Sequence, residues 1–562
     1  HLSLRTWLEG RPLYDETVTQ YGPAFFVLQG SFHRLTGLAV SHDAARFKTL
    51  AAWLVTAGLA AGVVLRLTHR RPLALLAFVG VFVHLDRLGL EPGHPQDLVL
   101  PLLAGAILVA AWAPASRPGR VAMLLGLMTG TLGMIKANLG FLTGCSCVLA
   151  MVLALPASQA AKWIGRVLAL ATAFLPLALA RGHAWSWSGI ALPAAIAGGA
   201  LGLLLTRHSA PARAGDVQDA DDRDWSWKPL GLYASTTIVA ATSFALLPLW
   251  SGTSLRGLWH GLVGQHRGFL DLFYHDPPLP EWSLVWTLAA VGAAIALPRF
   301  PRMLNMLRSV APLVLLVVGL RGLSATWQPI NNGLSDRGGA GLLAGTVPAL
   351  AWLLLCRSRR ATPGRSGGDF GRLLLVTSTL LQPLGMYPTP GTQVAIGTLP
   401  ALLVLLVVLS DLWEDVDWST AASPTRADER PEASAVIPRP EAPRLGRQAL
   451  RPFVNGLCAL AVATLLIRGW EQSRRHASLT PLGLPGARLL KLPADEVDSI
   501  RGTVAWLREH ADVFVARPTG CCSLYLWSEL PPPTTFNTTF WEVLLSSDQQ
   551  QAVIESLDAA RR

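Results

Sequence analysis

Apolar runs of helical, membrane-spanning length recur almost from one end of the chain to the other. A helix needs about 20 such residues to cross the hydrocarbon core. Runs of this kind fall roughly at 48–66, 72–88, 97–113, 120–135, 139–156, 164–180, 188–206, 229–250, 283–298, 309–321, 340–356, 371–386, 393–411 and 451–468. Several are short for a full crossing, which sets the number of spans only to within about two. Proline and glycine recur inside them, as membrane helices tolerate when neighbours satisfy the freed backbone groups. Residues 1–21 read as a polar loop, and Gly22 and Pro23 open an amphipathic segment that runs to about Gly37 and is expected to lie on the membrane surface. Residues 207–228 and 415–450 have the composition of solvated linkers.

Beyond Arg468 the pattern becomes that of a soluble fold. Pro493, Asp495 and Glu496 start a helix over Leu492–His510, with Val497, Ile500, Val504 and Leu507 on one face. Asp512–Arg517 and Ser523–Trp527 read as strands around a Pro-Thr-Gly turn. The expected architecture is an all-α polytopic membrane protein with a small C-terminal α/β soluble domain. Its parts would be a first loop and surface helix (1–47), a multi-span domain (48–411), a disordered linker (412–450), a last transmembrane helix (451–468) and a terminal domain (469–562). The chain opens at His1 inside a loop, so a preceding helix is expected, and Asp548–Arg562 reads as a helix cut off before its next element.

The loops alternate in arginine content. The rich set includes Arg66/Arg70/Arg71, Arg117/Arg120, Lys162/Arg166, Arg299/Arg302/Arg308 and Arg357/Arg359/Arg360. Positive loops stay in the cytoplasm, so the alternation predicts both the crossings and their direction. A plasma (inner) membrane protein follows, with the arginine-poor loops and the C-terminal domain facing outward.

Composition agrees. The 562 residues are 51% hydrophobic and 15% charged, less charge than a soluble chain of this length carries. The net charge of +11 sits in juxtamembrane loops, which favours anionic lipid headgroups over nucleic acid as partner. Six cysteines make no disulfide framework. No Walker loop, G-x-S-x-G, H-E-x-x-H or paired-cysteine metal motif occurs.

The chemistry therefore belongs to four outward segments: Gly10–Pro23, Asp86–Asp97, the long loop 251–281, and Gln382–Gln393. In the first, Gly10, Tyr14, Asp15 and Tyr21-Gly22-Pro23 at the head of an amphipathic helix resemble the first outward loop of GT-C glycosyltransferases. These are polytopic enzymes that use polyprenyl-phosphate sugars, and they include protein O-mannosyltransferases and aminoarabinose transferases. Met134-Ile-Lys-Ala-Asn-Leu-Gly140 is similar to a Lys-x-Asn-x-Gly segment of some bacterial members. The resemblance spans residues 10–411 in layout but only about a dozen residues in motif.

It implies a GT-C-like fold and transfer of a sugar to a lipid, glycan or protein acceptor, with inversion at the anomeric centre. It puts on Asp15 the role of the base that takes the acceptor's proton, or of a ligand to a divalent cation, Mg or Mn. Glu16 is the adjacent alternative, and a solvated loop carboxylate is the bland one. Lys136 ends an apolar run at the outer face, where it could hold the donor phosphate or snorkel to the interface. Arg87 could serve the same phosphate or pair with Asp86, and Arg256 is the choice from the long loop, whose aromatics otherwise read as a membrane anchor. Tyr14, Tyr21, His94, Asp97, Tyr387 and Gln393 complete the expected substrate cavity. Glu91, His94 and Asp97 otherwise make a polar turn around Pro92, Gly93 and Pro95. The readings from other classes are a lipid or solute transporter, or a non-catalytic membrane scaffold.

Overall fold

The computed structural model describes residues 2–17, 19–112, 117–156, 158–180, 183, 185–208, 225–264, 277, 279–296, 339–355, 367–387, 392–421, 445–516, 523–534 and 545–560. Within these the chain is almost wholly helical. The first helices are α1 (Leu2–Leu8), α2 (Pro23–Thr36), α3 (His42–Thr68), α4 (Arg71–His84), α5 (Gln96–Trp112) and α6 (Pro118–Ile135). After them come α7 (Ala137–Ala154), α8 (Gln159–Ala180), α9 (Trp187–His208), α10 (Trp227–Trp250) and α11 (Leu255–Leu262). Further helices cover Ser283–Ala296, Gly339–Leu350, Gly367–Leu381, Gln393–Ala421 and Leu445–Ser478. Every expected span falls on a helix except 309–321, which lies outside the described residues. The two long helices also cover parts of the expected linker, residues 415–421 and 445–450.

Seven of the described helices are long and apolar enough to cross a bilayer, as a multi-pass membrane protein requires. Their surfaces agree with that solvent. Helix α8 leaves Trp163, Val167, Leu170 and Phe174 exposed, and α10 leaves Ile238, Val239 and Leu246 exposed. Apolar faces this extensive are untenable in water and ordinary against lipid. The segment Gln393–Asp411 is the opposite case, enclosed by the helices Gly339–Leu350 and Gly367–Leu381. Its neighbours bury hydroxyls and amides that find partners across helices: Gln382 Nε2 donates to Thr143 at 3.0 Å, and Thr377 Oγ1 to the Ser146 carbonyl at 3.0 Å. At one end of this core Arg372 grips Asp411 with two bonds, of 2.5 and 2.7 Å, and donates a third to the Leu354 carbonyl.

The C-terminal region departs from the expected α/β domain. A helix forms at Ala494–His510, with Val497, Val504 and Leu507 buried as expected. The sheet among the described residues is one two-residue pair, Thr480–Pro481 against Lys491–Leu492. Ser523–Ser528 is a helix, and residues 512–516 are irregular. The Tyr525 hydroxyl explains this locally. It donates to the Phe514 carbonyl at 3.0 Å and accepts from the Ala516 N–H at 2.7 Å, taking the backbone groups a strand would offer to a partner. The region is clasped to the start of α3, where the Asp43 carboxylate accepts the N–H groups of Arg488 and Leu489 at 2.9 and 2.8 Å.

Candidate functional site

The four arginine-poor segments meet at one end of the helical body, and their contacts with one another define the site. The first loop is held in place by close approach. Gly22 donates its N–H to the Ile135 carbonyl at 3.1 Å, and a Cβ there would stand 2.1 Å from the Met134 carbonyl oxygen. Pro23 then starts α2, whose N-terminal position suits a residue without an N–H. The Tyr21-Gly22-Pro23 run thus docks the loop onto the end of α6.

Asp15 reaches the other side of the site. It accepts the Ser254 N–H at 2.5 Å and the Ser254 hydroxyl at 2.7 Å, and that hydroxyl in turn caps α11 through the Gly257 N–H. The loop lies so tightly on α11 that a Cβ at Gly257 would meet the Asp15 carboxylate, and one at Gly261 the Tyr14 ring. Gly257 and Gly261 therefore form the buried face of α11, while Leu255 and Trp259 are exposed at 75% and 62%. Arg256 is exposed beside them. The rest of the long loop's cations and aromatics, from His266 to Asp276, lie outside the described residues. Glu16 turns away to an exposed ion pair with Arg11 at 3.1 Å.

Tyr14 joins these two sides. Its backbone takes φ 69°, a left-handed conformation uncommon for a bulky residue, and its N–H bonds the Thr17 carbonyl at 2.9 Å. Its hydroxyl donates to the Tyr21 carbonyl at 2.9 Å. Tyr21 carries the chain onward. Gln20 Nε2 donates to its hydroxyl at 3.1 Å, and that hydroxyl lies 2.5 Å from His94 Nε2. His94 Nδ1 is buried without a hydrogen-bond partner and sits 3.8 Å from Glu91 Oε2. Glu91 accepts the Thr392 hydroxyl at 3.0 Å, and Thr392 accepts from Gln96 Nε2 at 2.7 Å, which draws in the fourth segment.

Lys136 is the cation of this cluster. It is the single extended residue between α6 and α7, which fold back against each other. No hydrogen bond or ion pair to its ammonium occurs among the described residues. Burial holds that ammonium below the usual lysine range, at about 8, while the nearby Glu91 carboxylate pulls it back up. Burial, then the Lys136 charge, keeps the His94 imidazole well below its ordinary value and so neutral at pH 7. Burial also raises the Tyr14 and Tyr21 phenols, which stay protonated.

The remaining expected residues have other surroundings. Asp97 is 3% exposed and accepts the Thr49 hydroxyl at 2.5 Å and the Gly93 N–H at 3.0 Å, so it pins the 91–97 turn to α3 from beneath. Tyr387 is buried in the core with its hydroxyl 3.4 Å from the Ser188 carbonyl. Gln393 starts its helix next to Thr392, with Oε1 buried and unbonded. The side chain of Arg87 lies outside the described set. Lys48, absent from the expected site, bonds Gln29 at 2.5 Å and lies 2.9 Å from His33 Nε2, which ties α2 to α3. Ser254 was also missed, although its spacing to Gly257 is that of a helix cap.

Asp15 is the carboxylate from which a divalent cation would be expected to be held, and its present partner is Ser254. Both carboxylate oxygens face Ser254 donors, and no group of three His, Cys, Asp or Glu side chains gathers among the described residues. No family model, curated protein or solved structure matches this chain.

Proposed function

We propose that the protein is a membrane glycosyltransferase that moves a sugar from a polyprenyl-phosphate donor to a lipid, glycan or protein acceptor. The observation that carries this reading is Lys136: a buried ammonium between two apolar helices that makes no hydrogen bond or close ion pair among the described residues, with only the longer-range influence of Glu91 and His94 beside it. An unpaired cation in such a place is costly and is relieved by an anion. A donor entering laterally from the bilayer would bring its phosphate to that depth. The exposed apolar face of α11 supports the same direction of entry.

Asp15 belongs to the loop that docks through Gly22 on the end of α6, next to Lys136 in the chain, and is fixed by Ser254. Each of its oxygens keeps a second lone pair, enough to take the proton of an acceptor hydroxyl as the anomeric bond to phosphate breaks. The arginine alternation supports an outward-facing site in the plasma membrane. Among the described residues the buried charges of apolar helices, Arg372 and Asp97, have partners in hand, an arrangement that gives little support to a transport path.

The test uses the full chain in liposomes with radiolabelled polyprenyl-phosphate sugars and a membrane-lipid extract. Sugar transfer is expected, with a loss of roughly 10²–10⁴ in rate for Asp15→Asn. Undiminished transfer by that variant would move the base to Glu16. Movement of donor across the bilayer without transfer would replace the reading with a flippase, and a folded protein inert toward every donor would sink it.

A further inference from the structure

The cluster around Lys136 contains its own anion, and the arrangement of that anion is informative. Glu91 is held loosely. Its side chain is 46% exposed, it accepts one hydroxyl, and its approach to His94 stops at 3.8 Å, beyond hydrogen-bond length. His94 by contrast is fixed. The Gln20 amide donates to the Tyr21 hydroxyl, whose own proton is then free for His94 Nε2; on that arrangement we assign the neutral ring's proton to Nδ1. A carboxylate on the Nδ1 side favours the same tautomer. That Nδ1–H is buried and unbonded, a donor aimed at the space between the imidazole and Glu91. Lys136 acts electrostatically on both residues.

Resting on the phosphate-site reading above, we infer that Glu91 is a resident anion in the Lys136–His94 site, displaced by an incoming phosphate group that then takes the His94 Nδ1–H as a second donor. Glu91 offsets the buried ammonium when the site is empty, and it sets a threshold that only a better-fitting anion can pass. The Glu91 carboxylate, anchored to the 91–97 turn and to Thr392, stops 3.8 Å short of His94 Nδ1 and makes no close ion pair with Lys136 among the described residues. A phosphate oxygen pair can meet both, because it is not tethered to the 91–97 turn. The Tyr21 phenol is then a positioning group, whose bond to Nε2 keeps the proton on the side facing the ligand.

The experiment measures binding of a fluorescent polyprenyl monophosphate to the full-length protein in detergent at pH 7, with inorganic phosphate as competitor. Glu91→Gln should tighten binding about threefold to fivefold, the scale of a half-exposed ion pair. His94→Ala should weaken it roughly tenfold, the scale of one hydrogen bond to a charged group, and His94→Asn should restore part of that loss. Tyr21→Phe should weaken binding by a smaller factor while leaving Lys136 in place. Unchanged or weaker binding by Glu91→Gln, with a wild-type melting temperature, overturns the displacement. Full binding by Lys136→Ala instead overturns the phosphate site itself, so the two failures are distinct. Competition by millimolar inorganic phosphate would assign the site to free phosphate, and its absence to the lipid headgroup.

Discussion

Lys136 shows how much a single residue's setting adds to its identity. The sequence marks it because a cation interrupts two apolar runs, and among the described residues its ammonium makes no hydrogen bond or close ion pair. With its ammonium value lowered to about 8, the cost of burying its charge is absent above the unfolded lysine value near 10.4. That cost grows as pH falls from there to 8 and is constant below. Ligand binding runs the other way, since only the charged form attracts phosphate. A polyprenyl-phosphate sugar is a phosphodiester whose charge is fixed in this range, so its affinity should fall about tenfold between pH 7 and pH 9. Lys136→Arg, always charged, should give a flat profile in the same titration. The partners of Lys136 were less legible. Tyr21 and His94 are 73 positions apart, and no periodicity links them. Glu91, His94 and Asp97 share one turn and read alike in sequence, yet Asp97 is buried under donors while Glu91 is half exposed. Burial separates their roles, and burial is a property of the packed helices above and below the turn.

At the scale of elements, apolar periodicity placed the helices well because membrane length and helical pitch constrain the same residues. It failed at Ser523–Trp527, where alternating leucine and aromatic residues read as a strand. There Tyr525 and Trp527 are both buried from a short helix, the first against Phe514 and the second in the cluster of Val497 and Val504, and the tyrosine hydroxyl occupies the neighbouring backbone. Helix α11 was legible as an amphipathic surface segment, but not its orientation: glycines face the protein and the large residues face away. The clasp between α3 and the C-terminal region was not legible at all, since Asp43 and Arg488 are 445 positions apart. Two charge-assisted backbone bonds at this point are worth about 1.5–3 kcal/mol each. Asp43→Ala should therefore release the region following Ser478, and limited proteolysis should cut it several times faster while the helical body remains intact. Equal cutting rates would assign the attachment to the packing of His42 on Trp527 instead.

For the molecule as a whole, the arginine alternation and the helix order make the same statement about sides. Glu16 and Glu91 belong to loops that meet at one end, and Arg117 and Arg120 begin α6, which runs toward that end from the other. In intact cells, cysteines placed at Glu16 and Glu91 should react with a membrane-impermeant maleimide, and cysteines at Arg117 or Arg120 only after permeabilisation. Reaction of both sets from one side would refute the sidedness. The grip of Arg372 on Asp411 carries a consequence of another kind, for the order of synthesis. Arg372 is 3% exposed in the finished protein, and its counter-ion is encoded 39 residues later. When the first of these two helices leaves the ribosome, its guanidinium has no carboxylate to meet, and the lipid phase is costly for it alone. The later helix, by bringing its carboxylate to that guanidinium, is therefore expected to help the earlier one settle in the bilayer.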